Sequence, residues 1–504
     1  MSPRGASALL TVLVMLAVVA GLAAFAPAPD PDVQLQLGKF LYSQGLYKDA
    51  LDAFQSALGS PEPGIRTQAR KGVVQSAVRL AEFSLARREA LTLRQELPGD
   101  SEVLSLFADS MWASGLFSDA EQSYRDALAL APKDARALNG LARALSARGK
   151  LPDALEHAQA ALALNPRDPE FHHTVGNVYE RLGRYDLGAE SLVRFINLLP
   201  VGARDDRTLL ARAELRFLMS FGRRQPNEVL GNPNQVHIIP FRVENDKMLV
   251  RGRVNGSRDM DIVVDTGSEM AVVSQGVAER QGVQPVAYTL SAGVGNVGLR
   301  GLQLARLDRL DVGTLRVRNV PAIIKNPALA ELPRVESEAF SPLAMGLSMS
   351  VDYQRKLMTV SRRLPESDRA DVTMPLWMNR LATVRGMVDD NHPVSFVVDT
   401  GGQVISISTT TVTALNRPEP ERKIALRVWG ASGWDPEAYL LPGVHLAFSD
   451  DIRYRNFSVV VLNLRAPSVL LGYELGGIVG HQFLSRYRVS FDLERAVLRL
   501  NRAS

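Results

Sequence analysis

The chain has 504 residues, of which 46% are hydrophobic and 22% are charged. This length predicts more than one domain, and the composition is that of globular proteins. The net charge is +4, without a basic block or interleaved aromatic residues, so nothing indicates a nucleic-acid partner. The absence of cysteine excludes disulfides, a thiolate nucleophile, cysteine metal ligands and lipid attachment through cysteine.

Residues 1–30 are predicted to be an export signal or a membrane anchor. Arg4 precedes an apolar run from Ala8 to Ala26. That run is close to the roughly 20 residues that cross a bilayer and longer than the roughly 7–15 of a cleaved signal. The small residues before Pro27 resemble a cleavage site, but the proline hinders cleavage there, which favours an uncleaved anchor. In either case we expect an exported chain, periplasmic or anchored in the inner membrane, with Arg4 inside.

Residues 31–202 show a repeat. Prolines stand 34 residues apart, and glycines follow the same period: Pro98, Pro132, Pro166, Pro200, Gly115, Gly149 and Gly183. Small residues between each glycine and the next proline would let paired helices approach closely, and aromatic residues fill the larger positions: Ala120, Ala127, Ala154, Ala161, Phe117, Tyr124, Tyr185 and Phe195. The pattern predicts an all-α solenoid of five helix-turn-helix repeats.

This pattern resembles the tetratricopeptide repeat family. The resemblance implies stacked helical pairs with a concave groove that holds a peptide segment of a partner. A spacer or an oligomerisation surface is the alternative that the sequence leaves open. A helix at 208–221 is predicted to cap the array, and residues 225–235 form a Pro-, Asn- and Gly-rich linker, so that 203–235 is assigned to cap and linker.

From about His237 the hydrophobic period becomes that of strands. Two similar stretches follow, at 236–364 and 365–504. Three pairs of segments match: residues 263–267 with 397–401, both Val-Val-Asp-Thr-Gly; residues 315–320 with 452–457; and Asp352 with Asp492. Duplication of one β domain explains these matches, so we expect an all-β bilobed region after the repeats.

Asp265 and Asp399 are the candidate catalytic residues. A single Asp-Thr-Gly is more often only a turn, but two copies in duplicated lobes can face each other across a pseudo-twofold axis. Like charges so close cannot both ionise, so one carboxyl would hold a proton while the other activates a water against a peptide bond. Thr266 and Thr400 would brace the two turns by hydrogen bonds. The candidate turn residues are Thr266, Gly267, Ser268, Thr400, Gly401 and Gly402.

Residues 237–502 resemble the retropepsin-like aspartic peptidases, specifically the bacterial members with short lobes. The family usually has alanine or serine after the turn glycine; Ser268 conforms and Gly402 does not, so a lost hydrogen bond is expected to shift the pKa values of the dyad. The apolar pair and glycine under the turn are Ile478-Val479-Gly480 in lobe 2 and, as expected here, Leu343-Ala344-Met345-Gly346 in lobe 1. The helix after the latter is expected to be lost.

The resemblance also implies a flap, a mobile hairpin that closes over the substrate. The candidate segments are residues 291–301 and 429–434, with ordinary hairpin turns as the alternative. The candidate substrate-binding residues are Gly293, Gly295, Gly298, Trp429, Gly430 and Trp434.

The sequence therefore predicts an exported aspartic endopeptidase whose repeats recruit the protein to be cut and whose lobes pair within one chain. Two alternatives remain: a non-catalytic peptide-binding scaffold, motivated by Gly402 and the short first lobe, and pairing of each lobe with its twin from another chain. No metal or cofactor is expected, because the histidines are scattered and the adjacent His172 and His173 suit a solvated helix face better than a metal site.

Overall fold

The computed structural model describes residues 30–200, 206–295, 300–325, 338–365, 370–417, 423–430 and 432–502. The expected signal or anchor lies outside the described residues, apart from residue 30. Within these ranges no helix is both long enough and apolar enough to span a bilayer. The chain forms two compact units, one ending at Ser76 and the other running from Ala77 to Ser504.

The stretch 30–200 folds into helices that follow one another in pairs. Their bounds are α1 Pro31–Ser43, α2 Tyr47–Ala57, α3 Pro63–Arg79, α4 Phe83–Glu96, α5 Ser101–Ala113, α6 Phe117–Leu130, α7 Ala135–Ala147, α8 Leu151–Leu164, α9 Pro169–Arg181 and α10 Tyr185–Leu198. The turn inside each pair contains a residue with positive φ: Gly45, Ala81, Gly115, Gly149 or Gly183. The predicted helical repeats are confirmed, and α11, Asp206–Phe221, is the predicted capping helix.

In the first unit the ring of Phe54 on α2 packs directly against two glycines. A Cβ at Gly38 or at Gly72 would lie 2.6 Å from that ring. The helices α1 and α3 therefore meet Phe54 without an intervening side chain, which is the close packing that buries an aromatic ring fully.

In the second unit alanines fill the space between paired helices. Fully buried examples are Ala86, Ala120, Ala127, Ala154 and Ala161. The helices α5, α7 and α9 each begin with an aspartate that accepts a hydrogen bond from a main-chain N–H of the first turn, namely Asp100, Asp134 and Asp168. His172 was expected on a solvated face; it is buried instead, with Nε2 3.0 Å from the carbonyl oxygen of Pro166.

The first lobe contains twelve described strands. They are β1 Glu228–Val229, β2 His237–Pro240, β3 Arg242–Glu244, β4 Lys247–Val254, β5 Met260–Val264, β6 Ala271–Ser274, β7 Pro285–Ser291, β8 Arg300–Val312, β9 Leu315–Lys325, β10 Glu338–Phe340, β11 Ser348–Asp352 and β12 Leu357–Ser361. A short helix, α12 Gln275–Arg280, follows β6. Within the expected linker, Glu228–Val229 pairs with β9, so this segment adds a strand to the lobe.

The second lobe repeats this plan. Its strands are β13 Val372–Pro375, β14 Trp377–Asn379, β15 Leu381–Val388, β16 His392–Val398, β17 Ile405–Ser408, β18 Ile424–Ala425, β19 Val428–Gly430, β20 Gly433–Asp435, β21 Tyr439–Ala447, β22 Arg453–Leu462, β23 Gly477–Val479, β24 Tyr487–Asp492 and β25 Val497–Arg502. Its helices are α13 Thr409–Ala414, α14 Arg465–Leu471 and α15 His481–Leu484.

Each lobe has its own large sheet, and a third sheet joins the lobes. The described strands are ordered β1-β9-β6-β10-β5-β4-β8-β7 in lobe 1 and β14-β15-β16-β23-β17-β22-β21-β18 in lobe 2. The shared sheet runs β13-β25-β24-β11-β12-β2, with β11 of one lobe antiparallel to β24 of the other. One apolar core extends through both lobes, with Phe340, Phe396 and Phe491 fully buried. Each such side chain contributes about 1.5–3 kcal/mol.

The duplication is visible in local geometry. Asn319 and Asn456, which the matched segments place at equivalent positions, both have a φ of 51°. Asp352 and Asp492 each accept a hydrogen bond from the main-chain N–H three residues later, at Arg355 and Arg495. The two halves therefore share turn chemistry as well as sequence.

The repeats contact lobe 2 through the turn between α5 and α6. The ring of Phe117 lies 5.0 Å from that of Tyr473 and 5.8 Å from that of Trp377, between centroids. The main-chain N–H of Glu474 donates to the carbonyl oxygen of Ala113 at 2.8 Å. Because of these contacts the repeat turn is part of the packing of the lobe.

The capping helix contacts lobe 1. Phe217 and Phe221 of α11 share a buried cluster with Ala287 of β7 and Leu304 of β8, and Met270 packs against the same cluster. The helices of the second unit thus touch both lobes. In lobe 1 the contact includes Met270, which stands five residues after Asp265 in the chain.

Candidate active site

Asp265 and Asp399 occupy the same local position in the two lobes. Each follows a buried strand, β5 or β16, that pairs in parallel with a second buried strand, β10 or β23. The main-chain N–H of Asp265 donates to the carbonyl oxygen of Phe340, and that of Asp399 to Val479, both at 3.0 Å. Strands covered on both faces read as continuous apolar runs, which is why valines precede each aspartate.

Two threonines join the two Asp-Thr-Gly turns. Each threonine hydroxyl accepts from the main-chain N–H of the other threonine, at 3.1 Å for Thr266 N–H and 3.0 Å for Thr400 N–H. The Thr266 hydroxyl donates to the carbonyl oxygen of Val398 at 2.6 Å, and the Thr400 hydroxyl to Val264 at 2.7 Å. Both side chains are buried. The four bonds cross between lobes and fix one turn against the other.

The carboxyl groups of Asp265 and Asp399 lie close enough to act on each other electrostatically. Each also accepts from the N–H of the glycine in its own turn, at 2.9 Å from Gly267 and 2.7 Å from Gly401. A Cβ at Gly267 would lie 2.6 Å from Cγ of Asp399, and a Cβ at Gly401 would lie 2.6 Å from Oδ1 of Asp265. Only glycine leaves room for the carboxyl group of the opposite lobe.

The electrostatics of this pair favour a shared proton. Burial, followed by the negative charge of Asp399, raises the pKa of Asp265 from 3.8 to about 8. At neutral pH Asp265 therefore holds a proton, and the pair is poised with one acid and one base. Such a pair can activate a water while donating a proton to a carbonyl oxygen.

Two expectations about the first lobe and the second turn are wrong. The Ser268 hydroxyl donates to the carbonyl oxygen of Met270 at 2.7 Å rather than to the dyad. Ser268 therefore makes no hydrogen bond to the dyad that glycine at position 402 would lose. The counterpart of Ile478-Val479 is Ala339-Phe340, because these residues pair in parallel with Val263 and Val264. Leu343–Met345 instead forms a 3-10 helix, where α15 stands in lobe 2.

The two flap candidates meet each other. The N–H of Gly293 donates to the Ser432 hydroxyl at 2.8 Å, and the N–H of Ser432 donates to the carbonyl oxygen of Val294 at 3.0 Å. Gly295 and Gly430 lie at the same contact, since a Cβ at either would lie within 2.4 Å of main-chain atoms of the other loop. Gly298 lies outside the described residues.

Trp429 and Trp434 face each other across the hairpin β19–β20. Their ring centroids are 6.4 Å apart, and they pair in register between the strands. They remain 42% and 37% exposed. The structure therefore places these two rings on one accessible hairpin beside the loop contact at Ser432.

A cross-lobe ion pair, which the sequence motifs did not predict, lies beside the first turn. Arg380 Nε donates to Glu269 Oε2 at 2.7 Å. At the equivalent place in the other half, Gln403 Nε2 donates to the carbonyl oxygen of Asn245 at 3.2 Å. Glu269 and Gln403 each stand four residues after their aspartate, and that shared offset was the available sequence signal.

The repeats add two carboxyl groups to this region. Glu180 of α9 and Glu214 of α11 lie close enough to affect each other's pKa, and Arg380 and Glu269 act electrostatically on both. Burial first, and then the charge of Glu214, raises the pKa of Glu180 well above its ordinary value. The array therefore reaches the residues that follow the first catalytic turn.

No group of three or more His, Asp or Glu side chains suited to a metal ion occurs among the described residues.

Comparison with known proteins agrees with this division of the chain. A family model described as gag-polyprotein putative aspartyl protease matches residues 250–332, and one described as aspartyl protease matches 384–475. A tetratricopeptide repeat model matches 106–169 and 141–195. The chain thus consists of tetratricopeptide repeats followed by two aspartyl-protease-like domains. No curated protein matches it significantly.

Solved structures similar to this chain include tetratricopeptide repeat proteins. TTC0263, a tetratricopeptide repeat protein of Thermus thermophilus, is 20% identical, with 38% of this chain and 100% of that chain covered and a TM-score of 0.32. PilF of Pseudomonas aeruginosa is 19% identical, covering 38% and 84%, with a TM-score of 0.27. YrrB, described as having an unusual peptide-binding site, is 16% identical, covering 34% and 88%, with a TM-score of 0.23.

Proposed function

We propose that this chain is an aspartic endopeptidase that hydrolyses peptide bonds through the pair Asp265 and Asp399. The proximity of the two carboxyl groups supports this function most directly. Asp399 acts as general base on a water, and protonated Asp265 donates to the peptide carbonyl oxygen, so the amide is cleaved without a covalent intermediate. As the resulting tetrahedral diol collapses and the C–N bond breaks, the proton that Asp399 took from the water passes to the leaving amine, and a diol hydroxyl returns a proton to Asp265.

The loops that meet at Ser432 serve as flaps. A peptide chain reaches the dyad only after the contact between Gly293 and Ser432 opens. Trp429 and Trp434 then cover apolar substrate side chains and keep water from the site. The repeats recruit the protein to be cut.

The proposal extends to location. The apolar run at residues 8–26 directs the chain out of the cytoplasm and holds it at the inner membrane. A reporter enzyme that is active only after export, fused after residue 504, tests this: activity is expected with the intact chain and not after deletion of residues 1–26. Equal activity of both fusions contradicts the assignment.

A non-catalytic scaffold is less well supported. It was motivated by Gly402 and by a first lobe without a helix under its turn. The Ser268 hydroxyl donates to Met270 and not to the dyad, so Gly402 is no argument against catalysis. In lobe 1 the 3-10 helix Leu343–Met345 stands where α15 stands in lobe 2, so the first lobe does have a helical turn there.

The test of catalysis uses the purified full chain and a diverse peptide library read by mass spectrometry. Cleavage is expected with the natural sequence and is expected to fall at least about a thousandfold with Asp265→Asn or Asp399→Asn, since each removes one half of the acid–base pair. Asp352→Asn is the control, because Asp352 lies in the shared sheet and its carboxylate accepts from the main-chain N–H of Arg355 rather than facing the dyad. Equal cleavage by natural chain and dyad variants overturns the proposal.

A further inference from the structure

Charged side chains from successive repeats face one common space. Arg79 of α3 contacts Glu170 of α9 at 3.0 Å although two repeats intervene. Arg207 of α11 bonds the same carboxylate. Side chains of separated repeats meet in this way only when their helices line the inner, concave side of a solenoid.

Two further arginines occupy this side. Arg143 and Arg136 of α7 contact the carboxylate of Asp109 on α5, at 2.6 Å and 2.9 Å. Arg143 also acts electrostatically on Glu170, which links the two groups of charges. We name the surface formed by Arg79, Arg136, Arg143 and Arg207 the arginine groove.

The arginine groove is electropositive at its surface. Its arginines act on three carboxylates, Asp109, Asp168 and Glu170. The side chains of Arg136, Arg143 and Arg207 are 38%, 33% and 31% exposed, against 15% for Asp109 and 24% for Glu170. Arg79 is 23% exposed, about as covered as Glu170. The other three arginine side chains are more exposed than the carboxylates with which they pair.

The pKa of a neighbouring histidine reflects the same positive charges. Burial, followed by the positive charges of Arg207 and Arg79, lowers the pKa of His173 to about 4. His173 is thus uncharged at neutral pH in the company of several fixed cations.

Aromatic rings hold two of the guanidinium groups in place. Arg143 lies over the ring of Trp112 at 5.3 Å, and Arg207 over that of Phe195 at 5.0 Å. A stacked guanidinium keeps its N–H groups directed outward and loses little freedom when it binds a carboxylate with two bonds.

Helix α9 connects the arginine groove with the residues that follow Asp265. His173 and Glu180 are seven residues apart on α9 and therefore lie on one helix face. Glu180 and Glu214 lie in the electrostatic reach of Arg380 and Glu269, beside the first catalytic turn. The ten residues from Glu170 to Glu180 span about 15 Å of helix, which an extended peptide covers in about five residues.

We infer that the arginine groove binds an acidic segment of the substrate, so that the preferred substrates carry clustered Asp and Glu residues at least about five residues from the cleaved bond. Calling this segment part of a substrate rests on the proposed peptidase function. Binding of an acidic segment to the arginine groove does not depend on that function.

The test measures binding and cleavage separately, with the full chain and two synthetic peptides. Both peptides carry one cleavable core and a neutral spacer; one ends in a four-residue Asp/Glu tail and the other in the matching Asn/Gln tail. Binding is measured by fluorescence anisotropy on the Asp399→Asn chain. The acidic tail is expected to lower Kd, and KM on the natural chain, by at least about tenfold. Added salt is expected to reduce this difference.

Variants locate the effect. Arg136→Gln and Arg207→Gln are expected to remove most of the preference for the acidic tail over the amide tail. Arg125→Gln, on the outer helix α6 where Arg125 pairs with Glu121, is the control and is expected to keep the preference. The comparison between tails on the natural chain needs no variant, so misfolding of a variant leaves the test intact.

The outcomes separate the two proposals. Equal binding of both tails overturns the arginine groove as the binding surface, whether or not cleavage occurs. Preferred binding of the acidic tail without cleavage of either peptide by the natural chain supports the groove and contradicts the peptidase function.

Discussion

Arg380 of lobe 2 and Glu269 of lobe 1 form an ion pair at 2.7 Å that joins the lobes directly beside the first catalytic turn. The Arg380 side chain also donates to the carbonyl oxygen of Leu470 at 2.9 Å. The loop after Asp265 is thereby held by the opposite lobe as well as by its own strand. The proposed reaction requires precise placement of the two carboxyl groups, so we expect this contact to affect the chemical step.

We expect Arg380→Gln to lower kcat by about two- to fivefold with a folded chain, because a half-exposed pair contributes about 1 kcal/mol or less. Glu269→Gln should have a similar effect, and the double variant should be no worse than either single one. Steady-state kinetics on a cleaved peptide provide the measurement. Additive losses would show that the two residues act independently.

The threonine pair yields a sharper prediction. Thr266→Val or Thr400→Val removes a hydroxyl that donates to a buried carbonyl and accepts a buried N–H. Leaving these groups unpaired is expected to lower the free energy of unfolding by roughly 1–3 kcal/mol and to reduce kcat strongly.

Thr266→Ser and Thr400→Ser are the controls, since serine retains the hydroxyl. Denaturant unfolding and peptide cleavage should both remain near the natural values in these variants. Equal losses in the valine and serine variants would assign the effect to the missing methyl group rather than to the hydrogen bonds.

The dyad and the repeats were accessible from sequence because each depends on local patterns. A 34-residue period predicts stacked helix pairs whatever their neighbours, and two Asp-Thr-Gly turns in duplicated stretches predict a meeting of Asp265 with Asp399. The assignment of Leu343–Gly346 failed because two apolar segments suited the position under the turn. Strand pairing of Phe340 with Val264 decides between them, and that register is not written in the local sequence.

Long-range contacts could not be predicted from the sequence for the same reason. Phe117 was assigned to the interior of a repeat, yet its ring also packs on Trp377 and Tyr473 of lobe 2. Nothing in the sequence around Arg79 or Glu170 indicates that they form an ion pair, because the pairing depends on the curvature of the array. Such contacts depend on how whole elements dock, which hydrophobic period does not report.

The shared proton predicts how activity depends on pH. Because the pKa of Asp265 is about 8, the acid form needed to protonate the substrate is present at neutral pH and is lost as pH rises through about 8. We therefore expect kcat/KM to be level between about pH 6 and 7 and to fall above about pH 8. A pH–rate profile on an uncharged peptide checks this, and a descending limb already near pH 5 would contradict it.

The same group predicts how stability depends on pH. A carboxyl whose pKa is raised in the folded state stabilises the fold fully below its unfolded value of 3.8 and loses that contribution as pH rises to about 8. Asp265→Asn, which cannot ionise, should therefore raise the free energy of unfolding at pH 8 by roughly 1–3 kcal/mol and have little effect near pH 4. Urea unfolding at both pH values measures the difference. An equal effect at both would mean that the carboxyl group does not hold its proton into the neutral range.

The docking of the repeats on lobe 2 is tested by two glycines that share one backbone conformation. Gly115 and Gly222 both have positive φ, at 72° and 56°. A Cβ at Gly115 would lie 2.7 Å from the carbonyl oxygen of Glu474 and 2.8 Å from Cβ of Ser395, whereas nothing lies within 4 Å of a Cβ at Gly222. Both alanine variants carry the strain of positive φ, about 1–2 kcal/mol, but only Gly115→Ala also pushes against the lobe.

We therefore expect Gly115→Ala to lower the free energy of unfolding by clearly more than Gly222→Ala. We also expect Gly115→Ala to reduce kcat/KM, because the displaced turn packs on β16, the strand that leads into Asp399. Ser395 is part of that strand. Thermal unfolding and peptide cleavage of the two variants, compared with the natural chain, give the two differences. If both alanines were equivalent in stability and activity, the contact of the repeat turn with lobe 2 would not contribute to either, and the array would serve the peptidase only as a tether.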